Sequence, residues 1–91
     1  APNAEPGAVG ADGTYTIQVA SFRTSEEAEL LASALRDKGH DTFVMEADVA
    51  GRGRWHRVRI GPFERRGEAR AYQRRLEAAE RLGSIVIRRR D

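Results

Sequence analysis

This 91-residue chain nearly repeats itself at an offset of 41 positions, and that repeat limits what it can fold into. Ile17-x-Val19-x-x-Phe22 recurs as Val58-x-Ile60-x-x-Phe63, Glu27-Ala28 as Glu68-Ala69, and Leu35 as Leu76. Each half reads as strand, helix, strand. Such a unit exposes an apolar sheet face and an apolar helix stripe that it cannot cover alone, so the two halves must share one core. Two units in tandem give β-α-β-β-α-β, an α+β split β-α-β sandwich of the ferredoxin or RNP type.

The local signals support each element. In residues 14–22, "TYTIQVASF", Tyr15, Ile17 and Val19 alternate with Thr16, Gln18 and Ala20, the mark of a half-buried strand. Thr24 with Glu27 three residues later forms a capping box. Ala28, Leu31, Ala32 and Leu35 follow at helical spacing, and Gly39 stands where a left-handed residue ends a helix. "DTFVME", 41–46, is a second strand with Phe43 and Met45 on one face. The polar, glycine-bearing stretch 47–54 is expected to be a loop, and 55–60 the third strand. A second helix is expected over about 65–82, with Ala69, Tyr72, Leu76 and Ala79 as its stripe. No capping side chain marks its start, and Gly83 is expected to break it. "SIVIR" is the fourth strand. The expected sheet order is 4-1-3-2, with strands one and three central and parallel, and both helices on one face.

A domain of this size leaves much of its unfolded surface exposed, so one bare sheet face is compatible with folding. What stands on it is unusual. In "RWHRVRIGPF", 54–63, alternation turns His56, Val58 and Ile60 to the helices and Trp55, Arg57 and Arg59 to water. Thr16 and Gln18 from strand one and Phe43 from strand two are expected beside them. Trp offers a flat apolar platform, Arg a bidentate fork for carboxylate or phosphate, and Gln an amide that donates and accepts.

Composition removes several alternatives. There are no cysteines, hence no disulfides and no thiolate metal sites. The two His have no metal-ligand spacing, and no cofactor is implied. No apolar run is long enough to cross a membrane. Residues 1–51 carry three basic and nine acidic residues, net −6, whereas 52–91 carry thirteen Arg against five acids, net +8. That split suits docking on a polyanion. Residues 1–13, rich in Ala, Pro and Gly, read as a flexible linker to a domain over 14–91. The chain has no initiator Met and reads as part of a longer protein, with any anchor or signal upstream.

"YTIQVASF", the capped helix after it, and "RWHRVRIGPF" before a helix opening near Glu68-Ala69 closely resemble the SPOR domain, the sporulation-related repeat of bacterial cell-envelope proteins. The resemblance covers about residues 14–90. It implies non-catalytic, extracytoplasmic binding of peptidoglycan glycan strands stripped of stem peptides, at the division septum or at remodelling sites, by a monomer. Carried over by position, it implies that Gln18, Ser21, Trp55 and Arg57 touch the glycan; Phe43 and Arg59 join them by strand parity. Tyr is common in the family where this chain has His56, and His56 is expected to pack beneath the helices.

Three rival readings follow from the same residues. One, a protein-interaction module using an exposed edge strand or the sheet face, would be separated by competition with purified glycan fragments. An RNA-recognition module has this element order and a basic second half. However, strand three holds Trp55 where two rings are expected, and strand one holds Gln18 where a ring would help, so no nucleic-acid partner is expected. An enzyme would need a nucleophile with a base, or two carboxylates flanking a sugar, and the open face offers neither.

Overall fold

The computed structural model describes residues 14–88, and the expected linker lies outside them. The elements run β1 (Tyr15–Phe22), α1 (Ser25–Asp37), β2 (Thr42–Val49), β3 (Gly53–Phe63), α2 (Arg66–Glu80) and β4 (Ile85–Arg88). The sheet order is β2-β3-β1-β4, as expected. Every neighbouring pair is antiparallel, including β1 with β3, which corrects the parallel pairing expected from the sequence. The reason is topological. The α1 crossover returns β2 parallel to β1, and the β2–β3 hairpin then reverses the chain, so β3 runs against β1.

One face of the sheet packs on the helices. Ile17, Val58 and Ile60 are buried there against Ala28, Ala32 and Leu35 of α1 and Ala69 and Leu76 of α2. The two repeat units thus share one core: Ile17 lies opposite Ile60, and the matched residues Leu35 and Leu76 close the core from the two helices.

The helix ends show how much local chemistry was legible. Thr24 Oγ1 accepts the Glu27 amide at 3.2 Å and donates to the Glu27 carboxylate at 3.0 Å. At the other end, Gly39 is at φ 96, with its N–H on Arg36 O and the His40 N–H on Leu35 O. That is a Schellman ending. The start of α2, at Arg65, has no side-chain cap, again as expected.

Four expectations are corrected. The loop expected over 47–54 is mostly strand, because β2 continues to Val49 and β3 starts at Gly53. Cross-strand pairs such as Asp48 with Arg54 sustain the ladder where the composition suggested a loop. The helix α2 stops at Glu80, and Arg81, not Gly83, takes the left-handed conformation at φ 56. Ala79 is exposed; the inward position at that end belongs to Glu80. Thr16, expected on the open face, is only 6% exposed. It lies beside Ile87 of β4, and its hydroxyl has no partner among the described residues.

Below the sheet, Glu80 ties the end of α2 to the turn after α1. Its carboxylate takes Lys38 Nζ at 2.7 Å and His40 Nε2 at 3.2 Å. Tyr72 Oη lies 2.6 Å from His40 Nδ1. The hydrogen bonds from Lys38 and His40 hold Glu80 below the usual carboxylate range.

Candidate functional site: the helix-free sheet face

Strict alternation would send Gln18 and Ser21, three apart in β1, to opposite faces of the sheet. The register shows why they share one. Gln18 pairs with Arg59, but Ala20 pairs with Val58, so Val19 is an extra residue in a β-bulge. Beyond the bulge the parity flips. Ala20 joins Val58 on the helix side, and Ser21 moves beside Arg57 on the open side. Ala20 was expected on the open face and is corrected by this bulge.

The open face is therefore laid out in rows across the strands. Ile85, Gln18, Arg59 and Phe43 form one row; Ser21, Arg57 and Met45 form the next; Trp55 and Ala47 form a third. The six candidate site residues, Gln18, Ser21, Phe43, Trp55, Arg57 and Arg59, lie on this face. His56 points the other way and is buried, as expected.

The polar groups are organised. Arg59 Nε donates to Gln18 Oε1 at 3.1 Å, and Gln18 Nε2 reaches Ser21 Oγ at 3.5 Å. A guanidinium has only donors, so it dictates which end of the amide it meets. The Gln18 N–H₂ is thereby aimed along the sheet at the exposed Ser21 hydroxyl, which can pass a proton donor on to a ligand. Arg59 thus fixes the orientation of the Gln18 amide.

Among the described residues, the paired strands put no acid on this face. Glu46 and Asp48 alternate to the helix side, opposite His56 and Arg54. There they engage Arg54 at 3.4 and 3.2 Å, with Asp48 as the main cause holding its guanidinium above the ordinary Arg range. Hydrophobic surface completes the face: Met45 is 38% and Ile85 55% exposed. An open sheet face of this kind suits a flat ligand with apolar faces and anionic or polar edges.

Two features were not read from the sequence. One is a shallow depression of ≈ 240 Å³ between β1 and the start of β4, lined by Gln18, Val19, Ala20, Ser21, Gly83, Ser84 and Ile85. Its far wall is fixed from α2: Gln73 Nε2 donates to Ser84 O and Oγ, and Ser84 Oγ donates to Glu77. The other is Arg23, whose guanidinium lies 5.0 Å from the Trp55 ring centroid. No local pattern marks either one, because both depend on how distant segments are brought together. Among the described residues, no cluster of three His, Cys, Asp or Glu is placed to hold a metal ion.

The family model of the SPOR domain matches residues 11–88. The chain belongs to the SPOR family. Solved SPOR structures share its fold. The RlpA SPOR domain from Pseudomonas aeruginosa is 28% identical, with a TM-score of 0.66, over 85% of this chain and 100% of that one. The peptidoglycan binding domain of the B. subtilis cell wall lytic enzyme CwlC is 30% identical, with a TM-score of 0.70, over 87% of this SPOR chain and 92% of that domain. The Spor protein DedD, at 18% identity and a TM-score of 0.65, matches in fold over 97% of this chain and 48% of its own. No curated protein matches the chain in sequence.

Proposed function

We propose that this SPOR domain binds peptidoglycan glycan strands that have lost their stem peptides, on the helix-free sheet face. It would thereby bring a parent envelope protein to the division septum or to sites of wall remodelling outside the cytoplasm, as a monomer. The observation that carries the reading is the hydrogen-bonded Arg59–Gln18–Ser21 chain on the same face as Trp55, a face with no acid among the described residues. The peptidoglycan-binding activity named for the CwlC domain supports it.

The chemistry matches group by group. Amino-sugar rings present C–H faces that pack on an indole. Their acetamido and hydroxyl groups pair with Gln18 and Ser21. Removing the peptide frees a lactyl carboxylate, which suits a guanidinium. A strand still carrying peptides lacks that anion and brings bulk onto the sheet, so discrimination combines a lost attraction with a clash. Recognition rather than turnover fits the side chains present.

The test is co-sedimentation of the domain with purified sacculi before and after amidase treatment. Stronger retention on the treated sacculi supports the reading. Equal retention removes the specificity for stripped strands, and no retention on either removes glycan binding. The rival, RNA binding, would show affinity that falls steeply with salt.

A further inference from the structure

Which cation reads the freed carboxylate is not settled by the alternation of β3, which offers both Arg57 and Arg59. The structure assigns this task to Arg23, a residue outside the strand motifs: we infer that Arg23, held over the Trp55 ring, is the residue that selects for an ionised carboxylate on the bound sugar. The inference rests on the proposed glycan reading and adds to it the group that distinguishes an acidic sugar from a neutral one.

Three observations support it. First, Arg59 has its Nε engaged by Gln18 Oε1, which ties it to orienting that amide. Second, Arg23 stands one step beyond the paired residues Phe22 and His56, which brings it beside Trp55, with its guanidinium 5.0 Å from the ring centroid. A Cβ added to Gly53 at the hairpin would lie 3.5 Å from an Arg23 terminal nitrogen, so the guanidinium is flanked by the turn as well. Third, Arg23 has no carboxylate partner among the described residues, whereas Arg54, nearer the hairpin tip, has two.

Its place over the ring determines what the group can do. A guanidinium has five N–H donors, and one held over an aromatic ring keeps donors available for a ligand beside the ring. The ring contact also restrains a side chain that otherwise loses much rotamer freedom on binding. Trp55 is half-buried rather than buried, so part of its indole remains for the sugar. The result is an apolar platform with a preset two-pronged donor at its margin, which fits a sugar carrying a carboxylate on a short ether arm. Arg57, one row away between Ser21 and Met45, has no ring beneath its guanidinium among the described residues and is suited to longer-range attraction.

The experiment compares stripped glycan strands with the same strands after their carboxylates are converted to carboxamides, a change that keeps shape and removes charge. A charge-assisted bond of the usual strength predicts that the wild-type domain prefers the ionised strands about tenfold or more. Arg23→Gln should collapse this preference while still binding both polymers weakly. Arg23→Lys should keep part of it, because charge is retained and the flat fork is lost. Trp55 is the only Trp, so its fluorescence reports directly on the removal of its cationic partner, and a melting curve checks the fold of each variant. Wild-type preference surviving in Arg23→Gln, or lost instead in Arg57→Gln, overturns the assignment of Arg23. Equal binding of both polymers by the wild type overturns it while leaving the glycan reading intact. Binding of neither polymer overturns both.

Discussion

Replacing Gln18 by Leu should separate binding from stability, because the Gln18 amide lies in an ordered row but contributes nothing to the core. Leu has nearly the same bulk and preserves the half-buried stem. The change deletes the acceptor for Arg59 Nε at 3.1 Å and the donor to Ser21 Oγ at 3.5 Å. A hydrogen bond to a charged group is worth about 1.5–3 kcal/mol where water is excluded. On an open face the abandoned guanidinium is resolvated, so the free domain should lose less than about 1 kcal/mol. The bound complex has no such relief. A ligand that covers the row leaves its own amide or hydroxyl without a partner, and affinity should fall about 10- to 100-fold. Two measurements decide: a thermal melt of the free domain, and a binding isotherm on amidase-treated sacculi. A melt lowered by many degrees with unchanged affinity would show that the row is structural, and the reasoning would fail.

Further expectations concern the fold. Glu80 is held below the ordinary carboxylate range by Lys38 and His40. Its share of stability is therefore present above the unfolded-state carboxylate pKa and is lost as pH falls through the lower folded-state value. Glu80→Gln should flatten the acid limb of a melting-temperature profile; an unchanged limb would refute the assignment. Thr24→Ala removes both hydrogen bonds that the N-cap hydroxyl makes to Glu27 and should cost about 0.5–2 kcal/mol in a denaturant melt. Thr16→Val replaces a buried hydroxyl that has no partner among the described residues with a methyl group of similar size. It should be neutral or stabilising by about 1 kcal/mol, and a clear loss in the same melt would reveal a hidden partner.

The repeat, the element order and the side-chain parity of β3 were legible because each is written in local periodicity. Trp55, Arg57 and Arg59 were placed correctly on that basis alone. What could not be read depends on pairing across strands. The Val19 bulge, visible only once Gln18 and Ala20 are set against Arg59 and Val58, is what brings Ser21 onto the site. The same shift lines Arg23 up with Trp55. The hairpin was misjudged for a related reason: "ADVAGRGR" has loop composition, but its Arg54 pairs across the ladder with Asp48 and Glu46. Ala79 matched the helical stripe in spacing, yet the helix meets its neighbours there through Glu80, whose partners come from the other half of the chain.

The proposal that the bare sheet face receives the glycan can be tested residue by residue with backbone and side-chain NMR shifts during titration with amidase-stripped strands. The signals that move should be those of Gln18, Ser21, Arg23, Phe43, Trp55 and Arg57, together with Ser84 and Ile85 at the depression. Those of the exposed side of α2, such as Arg70 and Arg74, should stay still. Movement concentrated on α1 and α2, with the Trp55 indole signal unchanged at saturation, would contradict the account.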